Sequence, residues 1–435
     1  MADVYPFQGY RYNKDKVEDL NKVVSQPYDK IDSISQEKYY NASDYNIVRL
    51  ILSKGKPGKD KYESAAENLK QWIDENVLIK DDEPSFYAYW QEYQVNGEKR
   101  VRKGFVGMGK LVGEEGVKAH ENTMEGPKAD RLNLMRATEA NFGHIFMLYS
   151  DKEQKVLDIL DKAVECSEPL FQVSDEDGNQ HILWRVTNCS ILDSIQKEMK
   201  DKVLYIADGH HRYQTAINFR NEALEKGWES VGAEGFDNRL MTFVNIDDPG
   251  MSILATHRMV YGLDDFNIDD FLKKAVEEFE INEFSTAEEL YSKMDKDQGN
   301  KHTIGFKARE DEKYFSLTLK NEEIMKTLVP DKSDVWRNLD VVILHKAILE
   351  RYLDIDEEAL AEKKYTDYVR YRDNALDKLE NSEEKEYQAA FLLNPTPVDD
   401  VQKVANQGER MPQKSTDFYP KLLTGMVISK MKIEK

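Results

Sequence analysis

The chain is poor in cysteine, in basic charge and in long apolar runs, and each shortage closes off a class of protein. Only two cysteines occur in 435 residues, Cys166 and Cys189, at no spacing that pairs metal ligands. A disulfide-built secreted scaffold and a cysteine-based metal module are therefore excluded, and both thiols read as free in a reducing compartment. No apolar stretch reaches the roughly 20 residues that a membrane-spanning helix needs, and no signal-like segment opens the sequence. The expectation is a cytoplasmic protein with no membrane partner. Lysine and arginine total 61 against 82 acidic residues, a formal charge of −21. That excess opposes general nucleic-acid binding, which needs a basic footprint, while leaving local basic pockets open.

What is present is best read from residues 203–219, Val-Leu-Tyr-Ile-Ala-Asp-Gly-His-His-Arg-Tyr-Gln-Thr-Ala-Ile-Asn-Phe. The apolar run Val203 to Ala207 has the length and composition of a buried strand. Asp208-Gly209 is a turn dipeptide, and apolar residues at Tyr213, Ala216, Ile217 and Phe219 then recur at helical spacing. A strand-to-helix corner presents unpaired N–H groups and the positive end of a helix dipole, which suits an anion such as phosphate. Gly209 lets the backbone adopt positive φ or approach a ligand closely. Arg212 is suited to a bidentate grip on phosphate, and His210 or His211 to donating a hydrogen bond or moving a proton. Asp208 is a source of acid–base or metal-binding oxygen.

A second polar cluster, His120, Glu121, Thr123, Lys128 and Arg131, follows an extended segment and precedes a helix expected from about 128 to 140. Upstream, Ser25-Gln-Pro-Tyr-Asp-Lys30 reads as a turn carrying Asp29. Residues 46–52 read as a strand with Arg49 either on the surface or buried against an anion. Downstream, residues 253–260 read as a strand with His257 and Arg258 near its end, and the tail Met411 to Thr416 carries Lys414. A hairpin is expected around Asn96-Gly97. Arg258 and Lys414 join Arg212 as candidates to neutralise phosphate. Glu121, His210, His211, Arg212 and His257 are expected to meet in one cleft, with Asp29, Arg49, Lys128 and Arg131 as further candidates. A zinc site is disfavoured, because His210 and His211 are adjacent and neighbours rarely reach one metal together.

Several of these segments resemble the ordered motifs of the domain-of-unknown-function 1015 family: Pro6-Phe7, Gln26-Pro-Tyr-Asp29, Lys118-Ala-His-Glu-Asn-Thr123, Ala207-Asp-Gly-His-His-Arg-Tyr213, Thr256-His-Arg258 and Met411-Pro-Gln-Lys-Ser-Thr416. More distantly, His120-Glu121 followed by Asp208-Gly-His-His-Arg212 is similar to the pattern of the free serine kinases in the ParB/sulfiredoxin superfamily. Two departures stand out: residues 151–200 intervene as an insertion, and alanine precedes His120 where the kinase pattern usually has proline.

The resemblance implies an α+β fold with a ParB/sulfiredoxin-like mixed-sheet core, a large insertion and an added C-terminal α+β unit. The expected divisions are residues 1–116 packed on the core, 117–265 as the core, and 266–435 as a unit whose Met411–Thr416 tail returns to it. It also implies that Glu121 is the base toward a serine hydroxyl. Asp208, His210, His211 and Arg212 would form the phosphate and Mg2+ group, Asp208 holding the metal and joining Glu121, His210 and His211 as catalytic residues, while Gly209, His120, Thr123, His257, Arg258 and Lys414 are the further phosphate or nucleotide ligands expected. The expected activity is phosphoryl transfer between ADP or ATP and a small hydroxyl metabolite, free L-serine being favoured, in either direction. A phosphatase or nuclease using the same pocket, and a ParB-like nucleotide-gated binding protein, are the alternatives.

Overall fold

The computed structural model of the chain describes residues 2–95, 97–113, 116–119 and 125–435. It divides into two compact units. The first contains the described residues up to Ala119, those from 125 to Met251, and the closing segment Pro420–Lys435; the second is Ser252–Tyr419.

The first unit is built on a nine-stranded mixed sheet. Its strands are β1 (Val4–Tyr5), β2 (Phe86–Val95), β3 (Glu98–Lys110), β4 (Val117–Lys118), β5 (Ile145–Tyr149), β6 (Phe171–Ser174), β7 (Gln180–Val186), β8 (Leu204–Asp208) and β9 (Asn238–Asn245). They lie in the order β4-β8-β5-β9-β3-β2-β7-β6, with β1 paired to β3. β2 and β3 form the hairpin expected from Asn96-Gly97, with Gly97 at φ +79°. The β4–β8 and β5–β9 pairs are parallel and the rest antiparallel, so the sheet mixes both kinds of ladder. β5 and β9 are buried along their whole lengths, which fits the apolar sequence of β5, whereas β9 also buries Asn238, Arg239, Thr242 and Asn245.

The helices of this unit are α1 (Ser33–Ala42), α2 (Val48–Ile51), α3 (Lys61–Asp74), α4 (Glu125–Thr138), α5 (Lys155–Val164), α6 (Cys189–Met199) and α7 (His210–Glu225). One core joins Met147, Ile206, Met241 and Phe243 of the sheet to Tyr213, Ala216 and Phe219 of α7 and to Leu160 and Ile195 of α5 and α6. Each such large side chain contributes about 1.5–3 kcal/mol by leaving water. α3 begins at a capping box made by Asp60 and Glu63.

The second unit carries a six-stranded sheet in the order Phe279–Phe284, Tyr314–Leu319, Thr303–Ala308, Tyr387–Leu392, His257–Tyr261 and Thr366–Val369. Every neighbouring pair in it is antiparallel. A π-helical turn, Leu344–Leu349, interrupts the helical segment that runs from Asp340 to Leu353. Such turns are rare and concentrate at functional or strained positions.

Four expectations are corrected. Residues 1–116 are not a separate layer, because β2 and β3 are interior strands of the same sheet as β5, β8 and β9. The division falls after Met251 rather than near 265, since the strand His257–Tyr261 pairs within the second sheet. The segment that rejoins the first unit is Pro420–Lys435, whereas Met411–Thr416 lies in the second. Finally, residues 46–52 are not a strand but contain the single helical turn α2. Asn46 explains the difference: its side chain accepts from Val48 N–H at 2.9 Å and donates to the Lys22 and Val24 carbonyls. That local capture closes a turn that an apolar run alone leaves ambiguous.

Candidate functional site at the start of helix α7

β8 ends in an irregularity between Ile206 and Asp208, where its register against β5 shifts. Bulges of this kind re-aim the side chains that follow. Gly209 then takes φ +94° and serves as N-cap of α7, with no side chain capping the helix. The glycine is required twice over. An L-residue would be strained at that φ, and a Cβ there would lie 3.0 Å from Arg212 Nε.

Arg212 folds back over this turn. Its guanidinium donates to the His144 carbonyl and to Asp208 Oδ2, and it is almost wholly buried. Gly143 makes room on the other side, since a Cβ there would stand 3.2 Å from Arg212 Nη1. Lys421 Nζ lies 3.4 Å from Asp208 Oδ1. Burial alone would raise the Asp208 carboxyl, but the charges of Lys421, Arg212, His210 and Lys30 outweigh it and hold the group well below the usual carboxylate range. Asp208 is therefore an anion ringed by cations at an uncapped helix start.

The sequence reading missed two members of that ring, Lys421 and Lys30. Lys421 is positioned from a distance. Arg102, fully buried on β3, donates to Gln91 Oε1 at 3.0 Å and to the Pro420 carbonyl, and Gln91 Nε2 donates to the Lys421 carbonyl at 3.0 Å. Arg102 also stacks over Phe146, 4.6 Å from its ring centre. No local pattern announces an arrangement that joins residues 91, 102 and 421. Lys30 was within reach of the sequence, because it closes the turn in which Asp29 was singled out; Asp29 itself is exposed.

The remaining candidates separate clearly. His210 is buried and His211 partly exposed on the first turn of α7. Arg131, on α4, pairs with Asp130, donates to the Ile51 carbonyl at 2.7 Å and lies 4.3 Å from the ring centre of Tyr28. Lys128 is on α4 and half-buried. Arg49 is neither a loose surface group nor an anion ligand: it donates to the Ser43 and Tyr40 carbonyls and to Asp44. His120, Glu121 and Thr123 lie outside the described residues.

His257, Arg258 and Lys414 belong to the second unit. His257 Nδ1 accepts from Leu393 N–H at 3.1 Å, and burial lowers the ring to about 3, so it is neutral. Arg258 donates through Nε to His345 Nε2 at 3.2 Å, through Nη1 to the Thr256 carbonyl and through Nη2 to the Lys414 carbonyl at 3.1 Å. With each nitrogen engaged inside the unit, Arg258 is a scaffold residue rather than a phosphate ligand. Lys414 sits at φ +57°, where its carbonyl meets that guanidinium.

The expected Mg2+ ligand also needs correction. Each Asp208 oxygen already faces a cation, Lys421 or Arg212, and a metal ion placed there would meet the positive ring. Among the described residues no group of three or more His, Cys, Asp or Glu side chains is arranged to hold a metal. The donor set described does not fit Mg2+. Among those residues, too, no helix is long and apolar enough to cross a membrane.

The model of a protein family of unknown function, DUF1015, matches residues 4–342, and the chain belongs to that family. No curated protein matches. Among solved structures, the chain is similar to a free serine kinase in complex with ADP, at 14% identity and a TM-score of 0.35, covering 71% of this chain and 85% of that one. It is also similar to a conserved hypothetical protein from Pyrococcus furiosus, at 13% identity and a TM-score of 0.33, covering 74% and 94%. A third likeness is to SbnI with a C-terminal truncation from Staphylococcus aureus, at 12% identity and a TM-score of 0.32, covering 72% and 84%. At those scores the likenesses carry no argument about chemistry.

Proposed function

We propose that the corner between β8 and α7 binds the phosphates of ADP or ATP, and that the protein transfers a phosphoryl group between that nucleotide and a small hydroxyl metabolite, free L-serine being the favoured partner. One observation carries the reading. A helix of 16 residues starts uncapped at a positive-φ glycine, and Lys30, Arg212 and Lys421 surround the single carboxylate of Asp208 there. Uncapped N–H groups, the helix dipole and a surplus of cations together favour an anion rich in acceptor oxygens. Arg212, being held by Asp208 and His144, acts as a fixed positive charge with its geometry set in advance.

In the transfer, a bond forms from the acceptor oxygen to phosphorus while the bond from phosphorus to the nucleotide's bridging oxygen breaks. The acceptor's proton passes to a base, and Glu121 takes that role by its motif. Such chemistry is mostly positioning plus neutralisation of phosphate charge.

A product assay with ADP or ATP, with and without L-serine, tests the reading beside calorimetry with nucleotide. Glu121→Gln is expected to keep nucleotide binding and to lose roughly 10²–10⁴-fold in turnover, the usual effect of removing a general base. Full turnover in that variant would remove Glu121 from the role. Phosphate release independent of serine, with no phosphoserine formed, would replace transfer by hydrolysis.

A further inference from the structure

A small cavity in the first unit, of about 40 Å³, lies beneath α4 and α7 and is lined by Tyr28, Leu134, Phe142 and three arginines, Arg131, Arg212 and Arg239. Arg239 is on β9, two residues before Met241 and four before Phe243, so strand alternation puts it on the face that carries the main core. It is 5% exposed, and its Nε and Nη1 have no hydrogen-bond partner among the described residues.

A buried guanidinium without a partner is costly, and proteins keep one where a ligand completes it. The other two arginines do not share this condition. Arg131 has Asp130 beside it, and Arg212 has Asp208. Neither acid reaches Arg239: burial lowers its guanidinium to about 9, and the one charge that adds to this is the like charge of Arg212. Of the three arginines, Arg239 is thus the one with no carboxylate beside it among the described groups.

We infer that this cavity is a binding site for a small organic monocarboxylate, its carboxylate on Arg239 and its short carbon body against the apolar wall. Three features select that class. Arg239, the one arginine of the lining with no carboxylate beside it, calls for a carboxylate from a ligand. Ile51, Leu134, Met135, Ala140 and Phe142 suit methyl and methylene groups. The size admits a few heavy atoms, since one water needs at least ~10–15 Å³ of such space, and excludes a nucleoside. The cavity shares Arg212 with the proposed phosphate site, but the inference rests on Arg239 and stands whether or not the phosphoryl-transfer reading does.

Calorimetry and thermal melts of the full chain in low-chloride buffer, with acetate, propionate, butyrate, L-serine and inorganic phosphate as separate probes, test it. At least one carboxylate is expected to bind and raise the melting temperature, and phosphate is not expected to compete with it. Arg239→Met should weaken that carboxylate by roughly ten- to a hundredfold, the worth of a charge-assisted hydrogen bond. It should leave the ligand-free melting temperature unchanged or higher, since it removes an unpaired buried charge. Arg239→Lys keeps charge without the planar fork, and about a tenfold loss of affinity is expected from it. The inference is overturned if no carboxylate binds, or if phosphate binds this site in their place. It is equally overturned if Arg239→Met loses stability while wild-type carboxylate affinity survives, or if the lysine variant binds as tightly as wild type.

Discussion

Arg239 in the first unit and Arg258 in the second are both buried arginines on interior strands, and burial lowers both guanidinium groups, to about 9 and about 10. They differ in what they touch. Arg258 has a partner at each of its three nitrogens and lies 5.2 Å from the ring centre of Tyr368, whereas two nitrogens of Arg239 have none among the described residues. Residue type and burial are shared, so neither tells a ligand-binding arginine from a structural one. The number of donors left over does.

Substitutions on each side test the difference. The largest effect is expected at Arg258. Arg258→Ala strands His345 Nε2 and the Thr256 and Lys414 carbonyls in the interior, which should cost roughly 3–5 kcal/mol. Denaturant unfolding followed by fluorescence measures this. A loss below 1 kcal/mol, set beside an unchanged Arg239→Met, would erase the distinction between the two arginines.

Acid should expose a second contrast, between groups stabilised by neutrality and groups stabilised by charge. His144 is buried, with Nδ1 2.8 Å from Thr242 Oγ1 and Nε2 2.9 Å from the Val427 carbonyl. Burial lowers it to about 4, and the charges of Arg212 and Arg239 add to that. A histidine whose folded value lies below its unfolded one contributes stability fully present above about pH 6.5 and lost as pH falls toward 4. For His144 the loss is roughly 3 kcal/mol by that point, at 1.36 kcal/mol per pH unit. His257 moves in the same direction. His302, raised by Asp340 against the opposing effect of burial, moves the other way over the near-neutral range. Melting temperature measured from pH 7.5 to 4 should therefore fall, and His144→Gln should flatten the slope between 6.5 and 4. An unchanged slope would mean that His144 is not held neutral.

The smallest effect is expected at Gly209. Gly209→Ala adds about 1–2 kcal/mol of left-handed backbone strain and presses a Cβ against Arg212. Stability should drop by that amount, and ADP affinity should fall with it, because Arg212 must shift. If affinity falls while stability does not, the glycine serves ligand approach alone.

The corner itself was readable because all of it is local. An apolar run, a turn dipeptide, a positive-φ glycine and a helical repeat lie within residues 203–219, so spacing alone places Asp208 and Arg212 on one turn. The hairpin at Gly97 was readable for the same reason. Residues 46–52 were misread as a strand because apolar residues interrupted only by Arg49 suit a strand or a buried turn equally, and the Asn46 contacts to residues 22 and 24 decide between them.

By itself, then, the sequence determined the types of most elements, the acidic balance, the cysteine-poor chemistry and the glycine-led start of α7, all legible without contacts between distant segments. Tertiary structure decided which charges are spent. Lys421 reaches Asp208 because Arg102 and Gln91 hold its backbone, Arg258 is consumed by His345 and the Lys414 carbonyl, and Arg239 is left without a partner among the described residues. Pairing of that kind depends on distances between segments as much as 330 residues apart, and charge strength in a low-dielectric interior depends on such distances and not on order in the chain.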